Sequence, residues 1–564
     1  FFRKGNYVTQ NRVERIHRWG VFEASISAGE VRDPLRDVTV TGEFVGPSGH
    51  RRHAPGFWDG GHTYRVRFSP DEVGPWRYML HAEGGASSEG QFDCVPYDGE
   101  NPLYRHGPIR VSANRRHLVH ADGTPYFFLG DTVWNGAMRA ATKDDWRTYV
   151  QTRREQGFTA AMYVTTSWKG LPDGGPDGPS HTGIPDRVES VNTRFYQRLD
   201  GALDTLVEAG LVGVPVLLWA NPGGPEINPG LTLSEDDAVL LARYQVARWH
   251  AHPVVWILNG DGRYTGEHAA RWQRIGTAVF GDEGRKTKDE GEHSSFVLRP
   301  SALAPVALHP GGIQWLGDDF KDEPWVDILG YQSGHGGDES AWRWLAGLPG
   351  VEGPRGPVEK SPASNWQEAP DKIAINLEPC YENHNHMVMA RSGRGFEPFI
   401  AEEVRRAIYW SLLITPTAGV TYGGHGVWGW DEGTEPPIAH ALTGTPQRWS
   451  EALHLSAAEQ LRHLRTAFQS VDWWTLRPDQ SLVREQPGDQ DVLKTVKAAR
   501  SDDGRLAVVY APAGGGVPLD LSRLASGLSG RWVNPRTGAQ QPANGSADGR
   551  FDAPDTQDWL LILR

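Results

Sequence analysis

The chain has 564 residues, 38% of them hydrophobic and 10% aromatic, and a formal net charge of −13 at pH 7. Such a length exceeds one ordinary domain, and the composition is that of a globular protein, not a disordered one. The acidic balance argues against nucleic acid as a partner, because phosphates call for concentrated Lys and Arg, and no apolar run is long enough to span a bilayer, so no membrane is expected.

The first hundred residues read as β. Val38-Thr39-Val40-Thr41-Gly42-Glu43-Phe44 and Tyr64-Arg65-Val66-Arg67-Phe68 alternate, Gly and Pro punctuate the runs, and no helical stripe intervenes. This predicts an N-terminal β-sandwich over residues 1–100. From about residue 101 apolar strands alternate with helical spacers. The strands are read at 126–131, 159–164, 214–219, 254–261, 304–309, 326–331, 372–378 and 419–423. Thr142 with Asp145 forms a capping box for the first helix, Ser234 with Asp237 caps a later one, and Gly210 suits a helix stop. A helix is expected over 402–414, whereas the helix after the fifth strand is poorly marked. Eight mostly apolar strands separated by helices predict a (β/α)8 TIM barrel over 101–473. The charged, Gly-containing segment 282–295 reads as a loop. Beyond 474 the helical period is lost. Leu506-Ala507-Val508-Val509-Tyr510 and Trp559-Leu560-Leu561-Ile562-Leu563 predict a C-terminal β-sandwich over 474–564.

On such a barrel the C-terminal strand ends converge on one rim, which carries the chemistry. Asp261 closes the fourth strand after Asn259-Gly260, and Glu378 closes the seventh before Pro379. Taken singly, an Asp after Asn-Gly is a turn residue and a Glu before Pro is a solvated surface group. Their joint placement on one rim makes them a candidate pair, because two carboxylates are the minimal equipment for cleaving a glycosidic bond. Asn259 could bond a substrate hydroxyl, apolar neighbours would raise Asp261, and Tyr331 and His335 could donate to Glu378. The 23 Trp outnumber the 18 Phe and the 16 Tyr. Many must be core, but Trp134, Trp168, Trp219, Trp428 and Trp430 lie at or just past strand ends, where an indole offers a sugar ring an apolar face with a polar edge.

Cys94 and Cys380 lie far apart in different predicted domains, so no disulfide framework is expected. Low cysteine usage points to the cytoplasm. The sequence opens Phe1-Phe2-Arg3-Lys4, with neither Met nor an apolar leader, which leaves export open.

Five motifs in chain order carry a resemblance: Phe128-Leu129-Gly130-Asp131-Thr132-Val133-Trp134, Leu258-Asn259-Gly260-Asp261, Gly330-Tyr331-Gln332-Ser333-Gly334-His335, Glu378-Pro379-Cys380-Tyr381-Glu382 and Thr421-Tyr422-Gly423-Gly424-His425-Gly426-Val427-Trp428. Over residues 115–470 the chain resembles the apiosidase-like glycoside hydrolases, family 140-like barrels of the retaining clan A. The N-terminal part resembles the small sandwich that precedes some bacterial glycosidase barrels. The C-terminal part, with Trp532-Val533-Asn534-Pro535-Arg536-Thr537-Gly538, resembles a sandwich of the collagen-binding type. The resemblance implies Asp261 as acid/base and Glu378 as nucleophile, with Asp131, His335, Tyr422 and His425 at positions that contact the sugar. It also implies an exo-acting retaining glycosidase that releases apiose or another pentose or hexose. The Asn-Gly-Asp motif departs from the Asn-Glu of most clan members, so a shorter acid must be offset by backbone position or by a smaller substrate. No cofactor is called for. The partner implied is a carbohydrate, and a homo-oligomer is compatible with the reading. Two other readings stand beside it. One is a non-catalytic carbohydrate-binding protein on a barrel scaffold. The other is a metal-dependent hydrolase using His309, His335 and His425, although no HxH pair follows the first strand.

Overall fold

The computed structural model of the protein describes residues 14–139, 142–183, 186–221, 228–281, 304–353, 356–388, 397–433 and 441–564. The segment 282–295 lies outside them. At the centre, eight parallel strands close into a barrel: β1 (Phe128–Thr132), β2 (Ala160–Val164), β3 (Val212–Trp219), β4 (Trp256–Gly260), β5 (Val306–Leu308), β6 (Ile328–Tyr331), β7 (Ile373–Asn376) and β8 (Gly419–Gly423). β8 pairs back onto β1, with Phe128 opposite Gly419 and Asp131 opposite Tyr422. Every residue of all eight strands is buried. That two-sided burial explains why the sequence shows apolar runs here in place of the alternation of a one-sided sheet.

The longer helices around the barrel are α1 (Lys143–Glu155), α2 (Thr193–Glu208), α3 (Glu235–Trp249), α4 (Glu267–Phe280), α5 (Glu339–Ala346), α6 (Ala401–Ile414) and α7 (Ser456–Gln469). α1 begins at the expected Thr142–Asp145 capping box. Ser234 accepts from the Asp237 amide at the start of α3. Gly210, just past α2, takes a left-handed φ of 82°. Between β5 and β6 there is only the short turn Gly317–Phe320. Phe320 there packs edge-on against Tyr264 and Trp325, at 5.7 and 6.3 Å. A few large rings do the covering that a helix does elsewhere, which is why the sequence marks no helix.

In front of the barrel lies a seven-stranded sheet in the spatial order Glu14–His17, Ser87–Val95, Gly74–Ala82, Val40–Val45, Arg51–Trp58, Thr63–Phe68 and Phe22–Ser27. Strand Arg51–Trp58 pairs with one neighbour up to Pro55 and with the other from Gly56 on. This bend folds the sheet over its own core. Gly56 permits it, because a Cβ there would lie 2.7 Å from the Val40 side chain. Inside, Phe22 stacks on Phe92 and Phe44 on Phe68, each at 4.1 Å. A buried charge cluster joins this sheet to the barrel: Arg67 of the sheet and Arg248 of α3 each donate to Asp200 of α2 at 2.7 Å. Phe57 lies under both guanidinium groups, at 5.0 and 4.7 Å.

Behind the barrel, the C-terminal part forms a six-stranded sheet ordered Arg477–Pro478, Lys497–Arg500, Ala507–Ala511, Trp559–Leu563, Gly530–Val533 and Gln540–Ala543, with the pair Gly516–Pro518 and Arg550–Asp552 beside it. It packs on α6. Arg405 makes a two-pronged pair with Asp558 at 2.7 and 2.8 Å, and Tyr409 stacks on Tyr510 at 4.6 Å. The protein is thus a central TIM barrel flanked by two β-sandwich-type units.

Candidate active site

Glu378 lies two residues past β7, where Asn376 holds the turn. The Asn376 Oδ1 accepts the Glu378 amide at 3.2 Å, and its Nδ2 donates to Ser333 and to Ser411 of α6 at 2.9 and 3.0 Å. The Glu378 carboxylate is buried, yet no guanidinium or ammonium of the described residues bonds it. Its Oε1 accepts from Gln332 Nε2 at 2.6 Å and lies 2.8 Å from His335 Nε2. Its Oε2 lies 3.3 Å from His309 Nε2. Both imidazoles have a determined tautomer when neutral, because a backbone N–H occupies each Nδ1: Tyr381 donates to His335, and Asp261 donates to His309, each at 3.3 Å. The remaining ring proton therefore sits on Nε2, facing Glu378. Burial alone would raise Glu378, but the bonds from His309 and His335 overcome it and bring the carboxyl down to about 2.

Asp261 follows β4 and has a left-handed φ of 54°. Asn221, past β3, donates to its Oδ2. Burial, and after it the charge of Glu378, pushes its carboxyl up to about 7. The glycine inside Asn259-Gly260-Asp261 has a packing reason, since a Cβ at Gly260 would lie 2.4 Å from the Trp219 ring. Asn259 is buried, and neither its Oδ1 nor its Nδ2 has a partner among the described residues. Lys169, on the loop after β2, feels both carboxylates. Burial depresses its ammonium, while Asp261 and Glu378 act to raise it.

Two aromatic groups lie beside the pair. In one Trp134, Trp168 and Trp219 cluster, with Trp219 at 5.1 Å from Trp134 and 4.5 Å from Trp168, and Trp134 at 5.5 Å from the His309 ring. Trp168 donates to Asn135 at 2.7 Å, whereas the Trp219 Nε1 is buried without a partner among the described residues. In the other the rings of His335, His384, His425 and Trp428 follow one another at 4.3, 5.5 and 6.2 Å. His425 Nδ1 is 3.1 Å from the Asn383 carbonyl and donates to it. Burial brings the His425 imidazole down to about 4, so at neutral pH its unpartnered Nε2 is an acceptor.

Four residues expected at the rim lie elsewhere. Asp131 points outward from β1, where its Oδ2 accepts from Arg153 Nε and from the Tyr149 hydroxyl, each at 2.8 Å. Tyr422, opposite Asp131 on β8, donates to Glu382 at 2.8 Å. Glu382 also accepts the Ala457 amide at the start of α7. Tyr331 faces α5 and packs edge-on against Trp344 at 6.0 Å, so it is not a donor to Glu378. Trp430 stacks on Trp449 at 4.2 Å. All four belong to the seam between strands and helices. The groups that do surround the carboxylates include His309, Gln332, Tyr381, His384, Asn221 and Lys169, for which sequence reasoning proposed no such role. Strand alternation could have found Gln332, because an outward Tyr331 puts the next side chain inward.

Among the described residues, no group of three or more His, Cys, Asp or Glu is arranged to hold a metal ion. A cavity of about 290 Å³ lies away from this chemistry, between the N-terminal sheet and helices α3 and α4. Three of its polar lining groups are already partnered: Tyr64 to the Pro34 carbonyl, Tyr244 to that of Trp58, and Arg243 to that of Ala278.

Three family models match the chain: "Apiosidase-like, catalytic domain" over residues 112–475, a domain of unknown function (DUF5060) over 15–83, and "Putative collagen-binding domain of a collagenase" over 477–564. No curated protein matches it. Among solved structures, one described as a glycoside hydrolase is 21% identical with a TM-score of 0.66, covering 83% of this chain and 98% of its own. A family 5 glycoside hydrolase from Bacteroides vulgatus is 19% identical with a TM-score of 0.64, over 82% and 94%. A "putative glycoside hydrolase" from the same organism is 16% identical with a TM-score of 0.68, over 98% and 99%. At these identities the structures attest the fold. The first family match spans more than half of the chain and contains both carboxylates, and on that ground the protein belongs to the apiosidase-like family and is a glycosidase.

Proposed function

We propose that this glycosidase is exo-acting and retaining, and that it releases one terminal pentose or hexose, apiose among the candidates, from a glycoside or oligosaccharide. Glu378 is the nucleophile and Asp261 the acid/base. The observation that carries the reading is that two buried carboxylates sit in unlike surroundings: Gln332, His335 and His309 surround Glu378 and favour its charge, whereas burial and the charge of Glu378 favour the proton on Asp261. Double displacement needs this division. Glu378 attacks the anomeric carbon as Asp261 passes its proton to the departing oxygen, which leaves a covalent glycosyl-enzyme and an Asp261 carboxylate. That carboxylate then takes a proton from water, whose oxygen displaces Glu378 and restores both groups. Lys169 steadies the negative charge that the pair carries between the two steps.

The reading of a pocket, as against an open groove, rests on the aromatic wall. Trp134, Trp168 and Trp219 form one wall, and His384, His425 and Trp428 continue it, with Asn135 bonded to both Trp168 and Trp428. Indoles suit the C–H face of a single ring, and His425 Nε2 and Asn259 offer unpaired polar atoms to its hydroxyls. A panel of nitrophenyl glycosides, followed by proton NMR of the first-formed sugar, tests all of this. A product with the anomeric configuration of the substrate is expected. An inverted product would overturn double displacement, and release of internal oligosaccharides would overturn the pocket.

A further inference from the structure

We propose that His309 is a positioning residue that serves both acidic residues at once: one ring nitrogen anchors the backbone of Asp261, and the other stands 3.3 Å from the Glu378 carboxylate. The inference rests on the roles proposed above for those two carboxylates. His309 is fully buried just past β5. Its Nδ1 accepts the Asp261 amide at 3.3 Å, which leaves the proton of the neutral ring on Nε2, 3.3 Å from Glu378 Oε2.

The anchor matters because of the backbone it holds. Asp261 is one of six non-glycine residues with positive φ in the described chain. That conformation is unfavourable for an L-residue, less so for Asp than for most. It persists only where the surroundings impose it. The surroundings here are the residues directly after β5: His309 takes the Asp261 amide, Pro310 pairs with Gly262, and Gly311 donates to the Gly262 carbonyl at 2.9 Å. The left-handed turn sets where the Asp261 side chain leaves the backbone, within range of the Glu378 charge. His309 holds the amide at which the turn begins.

The charged and titratable groups that face Glu378 are few. His309 comes from β5, His335 from the loop after β6, Tyr381 from its own loop, Asp261 from β4 and Lys169 from the loop after β2. Of these, among the described residues, His309 is the one that also hydrogen-bonds the Asp261 backbone.

Two half-replacements separate its duties. In His309→Asn the side-chain oxygen can stand near the Nδ1 position and accept the Asp261 amide, but nothing reaches Glu378. In His309→Gln the side-chain amide can stand near the Nε2 position and donate to Glu378, but the Asp261 amide loses its acceptor. The measurement is kcat/KM on the 4-nitrophenyl and the phenyl glycoside of one sugar across pH. His309→Gln should lose at least tenfold more on the phenyl glycoside, which needs a well-placed acid, than on the nitrophenyl one. His309→Asn should lose activity equally on both, with its acidic limb moved to higher pH. Either variant can be read if the other fails to fold. Equal losses on both substrates in both variants, with an unmoved acidic limb, would reduce His309 to packing and overturn the inference. Asp261→Gly belongs in the same series. If it shows no preference for the better leaving group, the acid/base assignment itself fails, which is a different outcome from failure of the His309 variants alone.

Discussion

The same barrel strands end in two chemically opposite environments. On the outside of β1, Asp131 is locked by the Arg153 guanidinium and the Tyr149 hydroxyl, every side chain fully buried. Inside the rim, Glu378 is nearly as buried, but among the described residues one amide and one imidazole meet its Oε1, a second imidazole lies 3.3 Å from its Oε2, and no guanidinium or ammonium bonds it. A carboxylate paired with a buried guanidinium holds elements together, and its electrons are committed. A carboxylate kept ionised by amide and imidazole N–H groups retains its charge and a path to an electrophile. Burial alone therefore does not mark a reactive group. The identity of its partners does.

The largest effect that could break this contrast is at the inner site. Glu378→Gln keeps the shape but cannot form a glycosyl-enzyme, and turnover should fall by at least about 10⁴-fold with an unchanged circular dichroism spectrum. A folded variant within tenfold of wild type would erase the distinction. Asp261→Gly comes next. Glycine is at home at φ 54° and leaves room for an anion, so phenyl glycosides should slow by about 10²–10⁴-fold and nitrophenyl glycosides by much less. Added azide should rescue the latter as a glycosyl azide, and its absence among the products would point to another acid. Asp131→Asn should behave in the opposite way. It strands Arg153, so urea unfolding should report a loss of about 3–5 kcal/mol, while kcat of the folded fraction stays within about threefold of wild type. A large fall in kcat at unchanged stability would put Asp131 back in the active site.

The smallest effect sharpens the contrast through pH. Asp261 is raised to about 7 in the folded protein, so kcat/KM should decline above about pH 7 as the acid loses its proton. The unfolded chain releases this proton near 3.9 and the folded chain near 7. The folded state thus binds more protons between those values, and stability drops as pH rises through them. Asp261→Asn removes that cost. Its melting temperature should exceed that of the wild type at pH 8, by a stability gain on the order of 1–3 kcal/mol, and the gap should close by pH 4. Glu378 has the reverse sign. Its low folded value adds stability above about pH 4.5 that disappears as the pH falls towards 2. A gap that stays constant with pH would mean that Asp261 titrates normally.

Much of this was legible before any coordinates. The eight strands stand out because each is buried on both faces, and a run such as Val214-Pro215-Val216-Leu217-Leu218 has no other stable use in a chain of this composition. Asp261 and Glu378 emerged from their places at strand ends. Trp134, Trp168 and Trp219 do gather beside the pair. Asp131, Tyr331, Tyr422 and Trp430 were misplaced for a common reason: adjacent residues on a strand face opposite ways, so rim position says nothing about side until the register is known. His309 was noticed only as a conceivable metal ligand, because a histidine's role depends on what its two nitrogens meet.

By itself, then, the sequence determined the barrel, its two flanking β units and the strand ends that carry the carboxylates. These follow from local apolar patterns, and the hydrophobic effect reads such patterns without regard to fine geometry. Tertiary structure alone decided which polar side chains face the rim, that Gly260 must stay bare beneath Trp219, and that one imidazole meets both the Asp261 amide and the Glu378 carboxylate. Those outcomes hang on strand stagger and on polar contacts of 3.3 Å between residues 48 and 69 positions apart along the chain. At that range a shift of a single residue reverses a side chain, and only the closed barrel sets the register.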